Sequence, residues 1–533
     1  MPNTIDYWSY TMGANVSSDS RVLPRFLVVL LILVLWSCPG GAETQVEKWD
    51  LFELALRGPE DGNPYLDVEL SAVFKKGQRE VRAPGFYDGQ GRYVVRFSPD
   101  EHGVWTYRTE SSAPLLAGKT GRFTCTDPTG ANHGPVEIVN TYYLQYADGT
   151  PYYAVGTTCY QWTSVKQDLQ ETTLKTLARS PFNKIRMCVF PKSYNWNRSE
   201  PWAYPYARDG QKNDYTRPNY GFFRNFDRRV AQLNDLGIQA DIILFHSYDR
   251  WGYAKMGARN DDRYLRYVIA RLGAFRNVWW SLANEWDLMV HNQHKTEADF
   301  DRFLRILTAE DPHQRLRGIH NWYGTEDHFY DHNKPGVTHA SIQSSRFFQG
   351  LDWRTRYGKP LLWDEVRYEG NIPSGWGNLT PEMMVAHFWM GGLTGGYVTH
   401  GECYRTVADN SDDVLWWGKG GTLKGKSPER IAFFRKIMES VPLTEMVPTP
   451  IETAKEKGNS GVCFVLAQSG QVYLGYTLDE RRPIRLHLTG SGAYRVELID
   501  TWKMTIRDLG TAEPGEFTYE TTGKYQAIRA TRK

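Results

Sequence analysis

Residues 277–287 read Asn-Val-Trp-Trp-Ser-Leu-Ala-Asn-Glu-Trp-Asp, and this stretch limits the possible folds more than any other. Val278 to Ala283 is an apolar run with two tryptophans and no polar face, the mark of a strand buried on both sides. It stops at Asn284-Glu285-Trp286, leaving an amide and a carboxylate at the strand's C-terminal end. Eighty residues further on, Lys359-Pro-Leu-Leu-Trp-Asp-Glu365 repeats the pattern. One buried strand ending in an acid is common, and the acid often only caps the next helix. Two in one register place two carboxylates in one mouth.

The surroundings supply that register. From Pro151 onward, strand-like runs alternate with helical periodicity, the signal of a parallel sheet with crossover helices. Eight strand cores fall at 152–157, 184–190, 239–245, 278–283, 317–320, 339–343, 360–364 and 396–400. Between the second and third, Phe222, Phe226, Val230, Leu233 and Leu236 keep helical core spacing. Thr380-Pro381-Glu382 and Ser427-Pro428-Glu429 each put a hydroxyl before a proline suited to the first helical turn. The expected fold class is α/β, with a (β/α)8 TIM barrel over 140–440 and its chemistry at the strands' C-terminal ends. Residues 45–128 instead alternate with period two, as in Tyr65-Leu-Asp-Val-Glu-Leu-Ser-Ala-Val-Phe74, between turns such as Asp88-Gly-Gln-Gly91. They predict an N-terminal β-sandwich, and 448–533 a C-terminal one.

At 533 residues the chain exceeds a single core, which stops growing near ~250–300 residues. Its 63 basic and 61 acidic residues leave a net charge of +2, which favours neither nucleic acid nor an anionic membrane as partner. The bias is aromatic: 14% of residues, with 19 Trp and 32 Tyr, the side chains on which sugar rings stack. Arg21 and Arg25 precede the run Phe26–Trp36, about half the ~20 residues of a membrane span. That pattern predicts a signal peptide over 1–42 and export to the periplasm, the cell envelope or the medium. Cleavage after Ala42 fits, and the lipobox-like Leu35-Trp-Ser-Cys38 leaves a lipid anchor at Cys38 as the alternative. Cys125, Cys159, Cys188, Cys403 and Cys463 are too scattered for a disulfide framework or a paired-cysteine metal site.

Two strand-end carboxylates are what cleavage of a glycosidic bond requires, one as proton donor and one as nucleophile or base. With Asn284 before Glu285 on strand four and Glu365 on strand seven, the barrel resembles the clan A retaining glycoside hydrolases, the cellulase and mannanase superfamily. The flanks resemble a bacterial subgroup with an uncharacterised N-terminal β-sandwich domain and a small C-terminal β-domain. The matching stretches are Gly85-Phe-Tyr-Asp-Gly89, Trp416-Trp-Gly-Lys-Gly-Gly421 and Leu498-Ile-Asp-Thr-Trp-Lys-Met-Thr505. The resemblance implies Glu285 as acid/base, Glu365 as nucleophile and Asn284 as a ligand of the sugar 2-hydroxyl. Arg186 matches the superfamily's strand-two arginine, and His246, His320 and Tyr323 its sugar or nucleophile contacts. Burial beside Trp286 is expected to raise the Glu285 pKa.

Strand eight departs from the superfamily, with His400 and Glu402 where a tryptophan platform is usual. Both are read here as polar substrate contacts. The long loop 191–220, rich in Tyr and Trp, is expected to wall the substrate site through Trp196 and Trp202, with a self-packed surface loop as the alternative. Trp363, Trp376, Trp416 and Trp417 divide between core and platform in an order the sequence leaves open. The partner is expected to be a plant or algal poly- or oligosaccharide, with no cofactor and no metal. His291/His294 and His328/His332 have metal-ligand spacing but fall in connecting segments, which keeps a metal-dependent barrel hydrolase as a weaker alternative. A non-catalytic carbohydrate-binding barrel is the other, opposed by the retention of both glutamates. N-terminal sequencing of the exported protein is expected to begin near Cys38 or Ala42–Glu43; residues 12–36 intact on soluble protein would exclude export by this route.

Overall fold

The computed structural model describes residues 44–195, 197–322, 326–373, 375–405, 416–449, 459 and 461–533. The expected signal peptide with Cys38, and the candidates Trp196 and Tyr323, lie outside the described residues. Among the described residues no helix is long and apolar enough to cross a membrane.

The N-terminal domain is a two-layer sandwich whose corner is a single strand, Arg79–Tyr87. Residues 79–84 pair with Leu70–Lys76 in one layer, and 85–87 pair with Arg92–Phe97 in the other. A strand that changes sheets is how two layers share a corner. Inner-face rings fill the gap between them. Phe74 stacks on Phe97 at 4.1 Å and Phe52 on Phe123 at 4.3 Å, one ring of each pair from each layer.

The central domain is the barrel. Its strands are β1 (Val155–Thr158), β2 (Lys184–Cys188), β3 (Gln239–His246), β4 (Val278–Asn284), β5 (Arg317–Gly318), β6 (Ala340–Gln343), β7 (Leu361–Glu365) and β8 (Tyr397–His400). They form one eight-stranded sheet in the order β5-β4-β3-β2-β1-β8-β7-β6, every pairing parallel. A parallel bridge between His320 and Ser341 joins the two ends and closes the ring. All eight strands fall where the apolar runs place them; β5 is shorter than expected and reaches His320 only through that bridge.

Helices α1 (Gln167–Leu177), α2 (Tyr220–Asp235), α3 (Ala258–Leu272), α4 (Trp286–His291), α5 (Glu297–Glu310), α6 (Gly350–Tyr357), α7 (Pro381–Leu393) and α8 (Ser427–Glu439) pack around it. On α2, Phe222, Phe226, Val230 and Leu233 are buried, while Leu236 stands exposed just past the last turn. Thr380 caps α7 by accepting from the Met383 amide at 3.2 Å. Between β5 and β6 a single 3-10 turn at Glu326–His328 takes the place of a helix.

A buried cluster of charges joins barrel and N-terminal sandwich. Arg271 of α3, 1% exposed, donates to Asp88 at 2.8 Å and to Asp227 of α2 at 2.6 Å, and Arg96 of the sandwich reaches Asp227 at 2.9 Å. Beyond the barrel, Val447–Pro448 and the strands between Cys463 and Arg532 build a six-stranded sheet, over which Pro483–Leu488 and Gly515–Glu520 form a two-stranded layer. Ile484, Leu486 and Leu488 fill the space between these layers. The other face of the large sheet meets α7, where Trp389 stacks on Tyr476 at 5.7 Å. This is the second sandwich expected over 448–533.

Arg271 bridges Asp88 and Asp227; stripping a buried ion of its partner costs up to about 3–5 kcal/mol, here less because Arg92 and Arg96 still face those carboxylates. Arg271→Met is therefore expected to lower the chemical-denaturation midpoint well below wild type. A midpoint within error of wild type would mean that the cluster does not hold the joint.

Candidate active site

At the end of β4 the backbone makes the bend that presents Glu285. The residue has φ 60° and ψ 63°, a left-handed conformation that carries a steric cost for any side chain with a Cβ. The Trp286 amide donates to the His320 carbonyl at 2.9 Å and pins the turn, after which α4 begins at once. Glu285 thereby leaves the strand direction and lines a cavity of about 650 Å³ that it shares with Glu365 from the end of β7. Tyr194, Tyr248, Tyr368, Trp376 and Trp417 form its aromatic walls, and Lys192 and Arg346 are its cations.

The two carboxyls have different surroundings. Burial, then the charge of Glu365, push the Glu285 pKa up to about 8, against smaller opposing effects of Lys192 and the Tyr248 hydroxyl. Its Oε2 has no hydrogen-bond partner. Glu365 is instead held at both oxygens: Tyr160 Oη donates to Oε2 at 2.8 Å and Trp376 Nε1 to Oε1 at 2.7 Å. Tyr160 also lies 3.2 Å from the Tyr368 hydroxyl. Glu285 is arranged to hold a proton, whereas Glu365 is fixed in place by two donors.

Below this pair lies a buried charge network. Lys184 Nζ reaches Asp364 at 2.6 Å and Asp241 at 2.8 Å, and Arg186 Nε lies 3.4 Å from Asp241. Both cations, with hydrogen bonds from Ser341 and Thr399, hold the Asp364 carboxyl far below its usual range. Arg186 is fully buried, and its Nε and Nη2 have no hydrogen-bond partner. His320 Nε2 lies 3.9 Å from Glu365 Oε2, but burial and Arg186 push its pKa well down, so the contact is that of a neutral imidazole. Asn284 is buried behind Glu285 with both amide atoms unpartnered. Arg186, Asn284, Glu285, His320 and Gln343 thus keep unpartnered buried polar atoms around one end of the barrel, and of the five Glu285 and Gln343 line the cavity.

Other sequence candidates lie elsewhere. His246, with its pKa pushed down to about 3 by burial, has Nε2 3.2 Å from the Phe190 carbonyl. Trp202 is 38% exposed outside the cavity wall, its indole donating to the Thr163 carbonyl at 3.0 Å. The loop 191–220 packs on the flank of the barrel: Tyr206–Asp209 and Lys212–Pro218 form a hairpin, Tyr206 is buried in the barrel's apolar cluster, and Tyr215 donates to the Gly252 carbonyl. Among the described residues of the loop, only Lys192, Tyr194 and Asn195 line the cavity. Of the four tryptophans left open, Trp363 and Trp416 are core, whereas Trp376 and Trp417 line the cavity.

His400 and Glu402 also differ from their expected role. Both are buried, His400 at 0% and Glu402 at 1% exposure, and neither lines the cavity. Glu402 accepts from the Lys424 and Gly425 amides, and Glu369 from the Lys426 and Ser427 amides and the Ser427 and Tyr404 hydroxyls. Ser427, expected to cap α8, spends its hydroxyl on Glu369 instead. Glu369, His400 and Glu402 keep ligand-type atoms within 4.8 Å of one another, among the described residues the one group of three or more with metal-ligand chemistry. Six donors already occupy its carboxylates, so its evident work is to staple segment 424–427 to the barrel. The pairs His291/His294 and His328/His332 form no such group.

The sequence does not single out Tyr160, Tyr248, Lys192, Gln343 or Tyr368, and it leaves Trp376 open between core and platform. Tyr160 follows β1 by two residues and was detectable as a strand-end residue. Trp376 sits eleven residues past Glu365 in a connecting segment, and nothing in its local pattern marks it.

Residues 139–445, more than half of the chain, match the model described as an apiosidase-like catalytic domain. The chain belongs to that family. Residues 45–112 and 462–531 match DUF5060 and DUF5605, two domains of unknown function, in keeping with the uncharacterised flanking domains expected. A Bacteroides vulgatus structure described as a candidate glycoside hydrolase is 35% identical, with 92% of this chain and 100% of that chain covered and a TM-score of 0.82. A family 5 glycoside hydrolase from the same species shares the fold at 14% identity, a TM-score of 0.61, and coverage of 75% of this chain and 94% of that one. No curated protein matches the chain. Fold and family are those of glycoside hydrolases, and they support glycosidase activity.

The raised Glu285 pKa also predicts a stability effect. The folded chain keeps this proton up to about pH 8, whereas the ordinary value is 4.5. Between those values the folded state binds the extra proton, so the group's contribution to stability falls as pH rises. Glu285→Gln removes that cost. Its thermal midpoint is expected to match wild type near pH 4 and to exceed it increasingly up to pH 8; a constant offset would contradict the assignment.

Proposed function

We propose that the protein is a retaining glycoside hydrolase that cleaves O-glycosidic bonds of a plant or algal poly- or oligosaccharide by double displacement. The observation that carries this reading is the asymmetry of the two carboxyls in one cavity: Glu285 favoured as an acid, Glu365 held by two donors. Glu365 attacks the anomeric carbon while Glu285 gives its proton to the leaving oxygen, producing a covalent glycosyl-enzyme and a free alcohol. Glu285, now ionised, takes a proton from water, whose oxygen displaces Glu365 and releases the sugar with its original anomeric configuration. Tyr160 and Trp376 fix the nucleophile's plane, and the unpartnered atoms of Asn284 and Arg186 favour contacts with the sugar's hydroxyls. The name of the matched family makes glycans containing apiose the first substrates to try.

The two glutamates are expected to fail differently. Glu365→Ala loses turnover on every substrate, and azide restores part of it with an inverted product. Glu285→Ala loses natural glycosides yet forms the intermediate from a dinitrophenyl glycoside, whose leaving group needs no proton, so a burst precedes slow hydrolysis. Proton NMR of the first wild-type product reads the configuration directly. An inverted product, or two mutants that behave alike on activated and natural glycosides, would reject the mechanism; inertness of the wild type toward a broad glycan panel would favour the binding-protein reading.

A further inference from the structure

Lys192 is a buried ammonium with no ordinary partner. It is 3% exposed and lines the cavity, yet among the described residues its Nζ enters no ion pair and no hydrogen bond. Aromatic rings hold it instead: Nζ lies 3.6 Å from the ring centroid of Tyr160, 4.4 Å from that of Tyr248 and 5.6 Å from that of Tyr194. Ring faces attract a cation through their quadrupole, more strongly when water is excluded. The backbone is fixed as well, the Lys192 amide donating to Gln161 Oε1 at 3.0 Å and its carbonyl accepting from Asn197 Nδ2 at 3.1 Å.

The choice of rings carries the argument. The Tyr160 hydroxyl donates to Glu365, and the Tyr248 hydroxyl interacts with Glu285. The ammonium therefore sits against the two phenol rings whose far ends touch the two carboxyls, while staying out of ion-pair range of both. A lysine bonded directly to Glu365 would tie up the lone pairs the nucleophile needs for attack. Held on the rings, the same charge acts on both carboxyls and pairs with neither.

We propose that Lys192 is a positioning residue for the carboxyl pair: held between Tyr160 and Tyr248, its ammonium offsets the mutual repulsion of Glu285 and Glu365. This rests on the double-displacement reading given above. Facing Glu285 are Glu365 from β7, Tyr248 after β3, Asp287 on α4 and Lys192 after β2, while Arg186 and Cys188 on β2 face Lys192 itself. Glu365 and Asp287 hold the Glu285 proton on; Lys192 is the cation that opposes them.

Lys192→Met removes the charge with little change of volume, and Lys192→Arg keeps it. The alkaline limb of kcat/KM on an aryl glycoside is expected to move up by roughly one pH unit in the Met variant, the scale for losing a nearby opposite charge, and to stay put in the Arg variant. Infrared titration of the Glu285 carboxyl, its band assigned with Glu285→Gln, should show the same displacement without any turnover. If the Met variant does not fold, Lys192→Gln takes its place. A raised KM with an unmoved limb would overturn the proposal and make Lys192 a substrate contact. An unmoved infrared titration would overturn it whether or not the enzyme turns over. A displaced infrared titration in a protein that hydrolyses no glycoside would uphold the electrostatic role and remove the double-displacement reading instead.

Discussion

The four charges inside the barrel, Lys184, Arg186, Asp241 and Asp364, set the frame on which the cavity depends. They come from β2, β3 and β7, and Ser341 of β6 and Thr399 of β8 donate into the same cluster. Five of eight strands are thereby tied in register at one level, directly beneath the carboxyls. A one-residue slip of a strand turns its side chains to the opposite face. Asp364 and Glu365 are adjacent, so the ion pair that fixes one fixes the direction of the other. The network need not add net stability to do this, since replacing a buried ion pair by apolar groups is often neutral or better. Its effect is to favour one arrangement of the strand ends.

Above that level the site is kept in tension. Glu285 adopts a backbone conformation that costs energy, loses its water and faces a second carboxyl. Each of these is unfavourable alone, and the surrounding barrel compensates through the closed sheet and the two large apolar clusters around it. The unpartnered atoms of Asn284, His320 and Arg186 add to the same cost, since a buried polar atom without a partner keeps its full desolvation penalty.

The barrel was legible because fully buried parallel strands leave continuous apolar runs, and the place where Val278–Ala283 meets an acid marks both fold and chemistry. Glu285 and Glu365 came with it. What surrounds them was harder to read, because it depends on where loops lead. Trp202 and Trp376 both sit in loops just past a proline, yet one donates to the buried turn at Thr163 and the other holds Glu365. The end of β8 shows the opposite failure: His400 and Glu402 looked functional because polar groups at a strand end usually are, whereas the amides of Lys424 and Gly425, far along the chain, claim Glu402. Periodicity records burial, and burial does not say which distant backbone arrives to use a side chain.

The joint between sandwich and barrel bears on how such proteins can be assembled from parts. Arg271 belongs to the barrel but has partners on both sides, Asp88 in the sandwich and Asp227 on α2. A barrel transplanted without its sandwich would bring a guanidinium to its surface that is built for an anion no longer there. A sandwich moved to another enzyme would carry Asp88 and Arg96 without their barrel partners, keeping only Arg92 and Glu53 beside them. The two domains are therefore matched as a pair, and shuffling that exchanges one must exchange, or rewrite, the face of the other.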